Sequence, residues 1–332
     1  MLVLGIETSC DETAAAVVED GRRILSNVVA SQVELHRKFW GIVPEIASRR
    51  HLEIIIPVIE EALKRANVRL NNLDAIAATY GPGLLGSLLV GLTVAKGIAY
   101  ALSLPFVGIN HLEAHLYANF LHHPEITPPL VGLIISGGHT ELIYLSEEGK
   151  YQLLGTTRDD AVGEALDKVA KILHLGYPGG PIIEKIAKEG DPESIDLPLV
   201  HFKEDTMDFS FSGIKTAVLY YARKLEKRNI PIPLSDLAAS LQRRIAQMLT
   251  ERTFKAVSLK KVKQLILGGG VSSNLFLRTF LEERKPKGLK IFFPPLQLCT
   301  DNAAMVAACA YPKIKEGKIS PFSLDAQPNL NF

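Results

Sequence analysis

A strand that passes directly into a helix is predicted for the stretch Pro105-Phe106-Val107-Gly108-Ile109-Asn110-His111-Leu112-Glu113-Ala114-His115. The apolar residues 105–109 indicate the strand, and Asn110 suits the N-cap of the helix. Residues four apart share one helix face, so His111 and His115 should point together beyond the carboxyl end of the strand, where open α/β sheets bind ligands. Two histidines make an incomplete metal site, and an amphipathic helix with incidental histidines is the alternative.

The size and composition are those of a soluble globular protein with two domains, since the chain has 332 residues and is 47% hydrophobic. Three cysteines are too scattered for a disulfide framework and indicate a reducing compartment: Cys10, Cys299 and Cys309. Glu7 interrupts the first apolar run, which argues against a signal peptide. The longest uncharged stretch, residues 75–95, contains Pro82 and several glycines, so a strand, a turn and a buried helix fit better than a membrane span. We expect a cytoplasmic protein with no membrane partner.

Charge is unevenly distributed along the chain. The formal net charge is +1, yet residues 201–290 contain 18 Lys/Arg and 8 Asp/Glu, which leaves the remainder at −9. This asymmetry suggests a polyanionic partner for the basic segment. The alternative is that the basic pairs lie on solvated faces of amphipathic helices.

The hydrophobic pattern repeats once along the chain. The first copy predicts strands at 2–8, 13–18 and 23–30, a helix at 48–66, a strand at 74–79, a helix at 87–102 and a strand at 105–109. The second copy predicts strands at 130–135, 141–145 and 151–156, a larger helical insertion, a strand at 264–267, a helix at 274–283 and a strand at 290–293. Both halves therefore predict the order β-β-β-α-β-α-β-α, which indicates an α/β fold duplicated once.

The repeat supplies a third candidate metal ligand. His111 and His115 open the helix after the fifth strand of the first copy, and Asp301 opens the corresponding helix of the second. Two histidines and one carboxylate suit Fe(II), Zn(II) or Mn(II) and leave coordination positions open for substrate or water. Asp301 could instead act only as an N-cap.

Equivalent turns of the two copies are candidate anion-binding loops. Residues 9–13 and 136–140 join the first two strands of each copy, and Gly268-Gly269-Gly270 precedes a helix with Asn274 one turn in. Small residues let backbone N–H groups approach an anion closely. Asp167 could accept a hydrogen bond from a ribose or an amine, or pair with Lys171 one helical turn away. Their placement at matching strand ends favours a nucleotide cleft.

These motifs resemble a known family. The duplicated three-strand meander with its loops looks like the actin-like, sugar-kinase and Hsp70 ATPase superfamily. Several strings are similar to the bacterial branch of the TsaD family of tRNA threonylcarbamoyltransferases: Gly5-Ile6-Glu7-Thr8-Ser9-Cys10-Asp11-Glu12, Asn110–His115, Ser136-Gly137-Gly138-His139-Thr140, Asp208–Lys215 and Cys299-Thr300-Asp301-Asn302. The resemblance covers nearly the whole chain.

The resemblance implies a duplicated actin-like, ribonuclease H-like fold, in which two lobes with mixed sheets flank a central nucleotide cleft. We expect a first lobe over residues 1–110, completed by part of the C-terminal helix at about 302–325. The second lobe is expected over residues 111–301, with a helical insertion at about 160–260.

The resemblance also implies a reaction, the transfer of a threonylcarbamoyl group from threonylcarbamoyl-AMP to the N6 amine of the adenine beside the anticodon, in tRNAs that read codons beginning with A. His111, His115 and Asp301 would bind one divalent metal ion per chain, Fe²⁺ or Zn²⁺. The adenylate or ATP would be held by Ile134, Ile135, Ser136, Gly137, Gly138, Asp167, Gly180, Glu184 and Asn274. An aromatic amine is a poor nucleophile and needs a base, for which Asp11 and Glu12 are candidates.

The implied partners are tRNA, a TsaB-like paralogous subunit and a TsaE-like ATPase, and a TsaC-type synthase would supply the adenylate. Two other functions stay open at this point. A metallopeptidase is disfavoured, because Glu113 comes two residues after His111 and should point away from the metal face. An ATP-responsive scaffold or chaperone-like module would bind nucleotide without needing the histidines.

Overall fold

The computed structural model describes residues 1–199 and 202–332. The elements up to residue 126 are β1 (Leu2–Glu7), β2 (Glu12–Glu19), β3 (Arg23–Ser31), α1 (Val33–Arg37), α2 (Pro44–Ala66), β4 (Ala75–Gly81), α3 (Leu85–Leu102), β5 (Phe106–Asn110) and α4 (His111–Phe120). They are followed by β6 (Leu130–Ile135), β7 (Thr140–Glu147), β8 (Lys150–Thr156), α5 (Val162–Ile172), α6 (Gly179–Ala187), α7 (Ser212–Glu226), α8 (Leu234–Lys260), β9 (Gln264–Gly268), α9 (Leu275–Arg284), β10 (Lys290–Phe292) and α10 (Ala303–Lys315).

Two five-stranded sheets have the same order, β3-β2-β1-β4-β5 and β8-β7-β6-β9-β10. In each sheet the central strand, β1 or β6, pairs antiparallel with the next strand of the meander and parallel with the strand that follows a helix. Both sheets are therefore mixed. The predicted duplication and the α/β class are confirmed.

The chain forms two compact units. Residues 1–126 and 294–332 form the first unit, and residues 127–293 form the second. The predicted lobes, 1–110 and 111–301, differ from these units because α4 and Asp301 both belong to the first unit. The reason is packing, since Ala114 and Ala118 of α4 share one apolar core with Ala303 of α10. The predicted insertion at 160–260 corresponds to helices α5 to α8 in the second unit.

The first unit has a core on each face of its sheet, as alternation along β1 requires. Val3 faces the core that contains α4 and α10, whereas Leu4 and Ile6 face the core that contains α2 and α3. Gly5 lies on the α10 side, where a Cβ atom would collide with the carbonyl oxygen of Ala303. The absence of a side chain at Gly5 therefore lets α10 pack directly on the strand that leads to the site.

Helix α3 follows β4 and a turn, as the sequence predicts for the long uncharged stretch. In the described part of the chain it is the one helix long and apolar enough to cross a membrane. Val90, Leu92 and Ala95 of α3 are buried in the core that α3 shares with α2. A core helix has the same composition as a membrane span, so the length and apolarity of α3 are weak evidence for a membrane.

In the second unit the motif at residues 208–215 has a structural role that its sequence did not reveal. Phe209 and Phe211 are buried in the core with their rings stacked 6.2 Å apart. Asp159 accepts hydrogen bonds from Ser210 Oγ at 2.5 Å, Ser212 Oγ at 2.6 Å and Phe211 N–H at 2.8 Å. The alternation of aromatic and hydroxyl residues thus anchors the start of α7 to the core and to one carboxylate.

Candidate functional site

The start of α4 is fixed by Asn110, the last residue of β5. Its Oδ1 accepts from the N–H groups of Leu112 at 2.8 Å and Glu113 at 3.3 Å, which confirms the predicted N-cap. His111 and His115 then lie one turn apart on the same face, with their ring centroids 4.6 Å apart. Both histidines are buried, so the paired rings belong to the interior of the first unit.

Asp301 lies beside the two histidines. Its Oδ1 is 3.5 Å from Nε2 of His111 and 3.2 Å from Nε2 of His115, and the three ligand atoms all lie within 4.8 Å of one another. Nε2 of His115 is buried without a hydrogen bond in the part of the chain described. Two imidazoles and a carboxylate converging from two helix starts have the composition and spacing of a three-ligand site for a transition metal or zinc.

Glu7 orients His111 from the side opposite Asp301. Its Oε2 lies 3.0 Å from His111 Nδ1 and accepts from Thr79 Oγ1 at 2.6 Å, while its Oε1 accepts from Ser9 N–H at 2.6 Å. Burial alone would raise the pKa of Glu7, but the ring of His111 and these donors lower it. Nδ1–H of His111 donates to the ionised Glu7, so Nε2 is the ring nitrogen that faces Asp301.

The electrostatics of the cluster favour a cation. Burial alone would lower the pKa of His111, but the carboxylates of Asp301 and Glu7 raise it to about 9. Burial lowers the pKa of His115, which keeps its imidazole neutral and able to act as a ligand. The two carboxylates therefore stabilise positive charge where the three ligand atoms meet, and the residues fit a divalent metal ion.

The two candidate bases lie where the loop after β1 enters β2, Asp11 as the last residue of the loop and Glu12 as the first residue of β2. Asp11 is buried and its carbonyl oxygen accepts from Gln32 N–H at 3.0 Å, while the carboxylate of Glu12 accepts from Ser31 Oγ at 3.1 Å. Burial raises the pKa of Glu12 well above its ordinary value, and the neighbouring carboxylates of Asp11 and Asp301 raise it further. A carboxyl group whose pKa is displaced toward neutrality is better suited to proton transfer than an ordinary one.

His51 of α2 supports this loop and was missed in the sequence. Its Nε2 lies 3.0 Å from the carbonyl oxygen of Cys10, and its Nδ1 lies 2.7 Å from Thr13 Oγ1. Burial lowers the pKa of His51, and a neutral ring that donates through Nε2 and accepts through Nδ1 satisfies both contacts. These contacts bracket Asp11 and Glu12. The available signal was a histidine on the same helix face as Ala47 and Ile55, where a buried ring needs partners.

In the second unit the turn after β6 has an open backbone. Ser136 N–H donates to the carbonyl of His139 at 2.9 Å, and the N–H of His139 donates to Ser136 Oγ at 3.1 Å. No atom lies within 4 Å of a Cβ placed on Gly137 or Gly138. The predicted loop therefore has room for a ligand at its glycines, as anion binding by backbone N–H groups requires.

Two predicted adenylate residues lie in a buried strand. Ile134 and Ile135 belong to β6 and are fully buried. The side chain of Ile135 packs in the apolar core of the second unit. A ligand would not reach either side chain, because strand residues buried on both faces leave only backbone groups to contribute. Any contact of Ile134 and Ile135 with the adenylate would therefore be made by their backbone groups, and their assignment stays a prediction.

The other predicted adenylate residues meet around the N-termini of α6 and α9. Asp167 Oδ1 accepts from Gly179 N–H at 2.7 Å, at the first residue of α6. Glu184 Oε1 accepts from Leu275 N–H at 2.8 Å, at the start of α9. Both carboxylates therefore bind helix N-termini, where the backbone N–H groups are otherwise unpaired.

Asn274 completes this group. Its Oδ1 accepts from Leu277 N–H at 2.8 Å, and its Nδ2 donates to Gln242 Oε1 at 2.9 Å. Beside it is a pocket with mostly apolar walls, which has the chemistry of a site for a nucleoside base. The pocket is lined by Leu166, Gly180, Ile183, Gln242, Ile245, Ala246, Val271, Asn274 and Leu277. Gly180 and Asn274 are thus brought together with Gln242, which the sequence did not single out.

Glu113 does not face the metal cluster. Its carboxylate forms a buried ion pair with Lys313 of α10 at 2.8 Å. A zincin needs its glutamate beside the zinc-bound water. The position of Glu113 agrees with the expectation from helix geometry and leaves the metallopeptidase without its base.

The segment after α10 passes behind the site within the first unit. Gln327 N–H donates to the carbonyl of Tyr80 at 2.7 Å, and Gly83 N–H donates to the carbonyl of Pro328 at 3.1 Å. Asn110 Nδ2 donates to the carbonyl of Asn331 at 3.2 Å. Residues 327–331 therefore support both the turn after β4 and the N-cap that positions the histidines.

Comparison with known proteins agrees with this geometry. The family model described as "TsaD: tRNA N6-adenosine threonylcarbamoyltransferase" matches residues 23–308. The chain belongs to the TsaD family. Its relatives include tRNA N6-adenosine threonylcarbamoyltransferases of Clostridium perfringens, 51% identical over 100% of this chain and 98% of that protein, and of Clostridium botulinum, 51% identical over 99% and 97%. The family is metal-dependent and uses an adenylate substrate.

Similar solved structures show that this TsaD-family chain has the actin-like fold. Component A of the (R)-2-hydroxyglutaryl-CoA dehydratase of Acidaminococcus fermentans is 17% identical with a TM-score of 0.55, over 95% of this chain and 99% of that chain. Full-length HypF is 12% identical with a TM-score of 0.61, over 95% of this chain and 56% of that chain. At this identity the likeness shows the fold alone. The predicted fold class is confirmed.

Proposed function

We propose that this chain transfers the threonylcarbamoyl group of threonylcarbamoyl-AMP to the N6 amine of the adenine beside the anticodon, in tRNAs that read codons beginning with A. The observation that carries the proposal is the convergence of His111, His115 and Asp301 in the same unit as the Asp11–Glu12 loop, in a chain of the TsaD family. A cation site and a titratable carboxyl group would then lie within one structural unit.

The residues of the first unit have distinct roles in the proposed mechanism. His111, His115 and Asp301 would hold one Fe²⁺ or Zn²⁺ ion, which would act as a Lewis acid toward the carbamoyl carbonyl. The N6 amine attacks the carbonyl carbon, the bond to the phosphate of AMP breaks, and AMP leaves. Glu12, or Asp11 beside it, accepts the proton that the attacking nitrogen loses. Glu7 keeps His111 in the orientation that the site needs.

Residues of the second unit are proposed to hold the adenylate. The glycines of the turn at 136–138 would donate backbone N–H groups to the phosphate, and the pocket beside Gly180 and Asn274 would take the nucleoside. Asp167 and Glu184 fix the starts of α6 and α9, so their contribution is to position this pocket. ATP could occupy the same groups, since it shares the adenosine and phosphates of the adenylate.

The proposed partners are tRNA, a TsaB-like subunit and a TsaE-like ATPase, with a TsaC-type synthase supplying the adenylate in the cytoplasm. The basic segment 201–290 is proposed to face tRNA phosphates. Its first residue lies outside the described residues. Several of its cations are paired within the second unit: Arg243 with Glu193 and Arg244 with Asp196, as well as Lys255 with Asp205. The net charge of residues 201–290 therefore overstates the positive charge that is available to bind phosphates.

Nucleoside mass spectrometry tests the proposal. Unmodified tRNA is incubated with threonine, bicarbonate, ATP, the adenylate synthase and the partner proteins, with and without this chain. We expect threonylcarbamoyladenosine only when the chain is present, and none with His111→Ala/His115→Ala. The matched control is His122→Ala/His123→Ala, a second histidine pair just beyond α4. Product formation by the first variant would contradict the proposal, and nucleotide binding without any transfer would favour the scaffold.

A further inference from the structure

Four consecutive exposed residues lie at the end of the first helix of the chain and just beyond it: Arg37, Lys38, Phe39 and Trp40. We call residues 37–40 the aromatic tip. Phe39 is 50% exposed and Trp40 is 42% exposed, although aromatic side chains of this size usually bury most of their surface. Two adjacent exposed rings that directly follow two cations form a surface that can contact both bases and phosphates.

The base of the aromatic tip is fixed by buried groups. The side chain of His36 is fully buried, and its Nδ1 accepts from Val43 N–H at 3.3 Å. The carbonyl of His36 accepts from Phe39 N–H at 2.9 Å, and that of Arg37 accepts from Trp40 N–H at 3.3 Å. The loop is therefore closed at residues 36 and 43, and the rings are presented outward from a held backbone.

The same base is joined to the loop that carries the candidate bases. Gln32, the residue before α1, donates its N–H to the carbonyl of Asp11 at 3.0 Å. The side chain of Gln32 is buried and donates to the carbonyl of Ala47 at 3.3 Å. The aromatic tip thus begins five residues after a direct hydrogen bond to the backbone of Asp11, one of the two candidate bases.

Local charge favours a polyanion. Residues 33–50 contain four Lys/Arg and two Glu, whereas the chain outside 201–290 is net negative. Arg37 pairs with Glu34 at 2.9 Å, and Lys38 has no ion-pair partner among the described residues. Lysine is depleted in protein–protein interfaces, whereas here Lys38 directly precedes the two exposed rings. Aromatic rings beside a cation are typical of surfaces that bind single-stranded nucleic acid.

We propose that the aromatic tip stacks on unpaired nucleobases of the anticodon loop of the RNA substrate, with Lys38 contacting its phosphates. The inference rests on the proposed function for the identity of the RNA. It goes further by naming the residues that hold the loop around the reacting adenine. Sequence-specific proteins bind RNA mostly at such loops, where unstacked bases can lie against aromatic rings.

Trp40 makes the test direct, because it is the single tryptophan of the chain. The intrinsic fluorescence of the full chain is titrated with an anticodon stem-loop RNA and with a fully paired RNA of the same length. Stacking on a base should quench the emission in a saturable way with the stem-loop but not with the duplex. Equal quenching by the two RNAs, or none with the stem-loop, would overturn the proposal. So would a change in emission that occurs only with a second copy of the chain or with the partner subunit.

A variant set gives a second readout. Phe39→Leu/Trp40→Leu should raise the KM for the stem-loop in the transfer assay by about tenfold or more, because stacking is worth roughly 1–3 kcal/mol per base. The kcat should stay within about twofold of the parental value. The conservative change Trp40→Phe should raise the KM much less than the double leucine change does. Lys38→Ala should instead reduce the salt dependence of binding. Tyr100→Leu, an exposed aromatic of the same unit without flanking cations, is the matched control.

The two proposals fail in different ways. If the parent chain transfers nothing but its fluorescence is quenched by the stem-loop alone, the reaction is wrong and the aromatic tip is supported. If transfer occurs and the leucine variant keeps the parental KM, the tip proposal is overturned and the reaction stands.

Discussion

The two sheets share one strand order, but the central strand ends in Glu7 in the first unit and in Ile135 in the second. Both side chains are fully buried. The turn that follows contains Asp11 and Glu12 in the first unit, and Gly137 and Gly138 in the second. The duplicated backbone is thus the same while the chemistry has separated, with ionisable groups in one copy and an open backbone in the other.

Two buried carboxyl groups, one in each unit, have pKa values shifted in opposite directions. Glu7 is hydrogen-bonded by Thr79 and lies beside His111, and its pKa is lowered. Glu141 of β7 is also buried, and burial raises its pKa to about 7. A buried charge is tolerated where partners compensate for the lost hydration, a condition that Glu7 meets, whereas burial alone shifts the pKa of Glu141.

The largest effect should come from removing the third ligand. Asp301→Ala should lower transfer by at least about a thousandfold, because loss of Lewis-acid catalysis removes several kcal/mol of transition-state stabilisation. Metal content, measured by elemental mass spectrometry, should fall together with activity. Asp325→Ala, an exposed aspartate of the same unit, is the control. Retention of metal by the Asp301 variant would show that the first unit does not hold the metal through this residue.

Glu7→Gln tests whether the buried charge in β1 serves the metal. The amide keeps the shape but loses the charge that orients His111, so metal affinity should fall by about 10–100-fold, as for other carboxylate partners of a ligating histidine. Affinity is measured by competition with a chromophoric chelator. Thr79→Val removes a donor to the same carboxylate and should have a smaller effect in the same direction. An unchanged metal affinity in Glu7→Gln would show that the buried charge of Glu7 does not serve the metal site.

Glu141→Gln should change how stability depends on pH. The folded-state pKa of about 7 exceeds the ordinary value of 4.5, so the folded protein binds the proton more tightly and the free energy of unfolding falls as pH rises from 4.5 to 7. The variant should lack this decline and be more stable than the parent at pH 8 by about 2 kcal/mol. Urea unfolding from pH 4.5 to 8 measures it, with exposed Glu147→Gln of the same strand as control. Parallel curves for parent and variant would refute the contrast.

Gly163→Ala should have the smallest effect and test the open turn. A Cβ at Gly163 would lie 2.6 Å from the carbonyl oxygen of Ser136 and 2.8 Å from Cα of Gly137, so the turn must shift. Overpacking costs about 1–3 kcal/mol and helix propensity returns up to about 1, which predicts a net loss near 1 kcal/mol and weaker binding of AMP. Gly97→Ala meets no atom within 4 Å and should raise the Tm. Unchanged AMP binding in Gly163→Ala would show that the turn does not contribute to nucleotide binding.

The parts of the site that the sequence could predict are those fixed by local geometry or by the repeat. Asn110 and the two histidines follow from helix periodicity, and Asp301 follows from its matching position in the second copy. Glu7 was recognised only as an interruption of an apolar run. Its partner His111 is 104 residues away, and no local pattern encodes such a contact.

The fold class was predictable because strand and helix periods survive in both copies. Assignment of α4 to a unit was not, because it depends on which core receives Ala114 and Ala118, a matter of tertiary packing. His51 was missed for the same reason, since its contacts to Cys10 and Thr13 span loop and helix. Ile134 and Ile135 were assigned by motif position alone, and the burial of β6 decides against their side chains.

The order of elements along the chain has a consequence for synthesis. The second unit is continuous, whereas Asp301, α10 and residues 327–331 of the first unit follow it in the chain. On the ribosome the second unit can therefore finish folding while the first sheet still lacks the helix that covers one of its faces. Asp301, the carboxylate beside His111 and His115, leaves the ribosome only when almost all of the chain has emerged. Metal loading would then be a late event in biogenesis, after the second unit is already native.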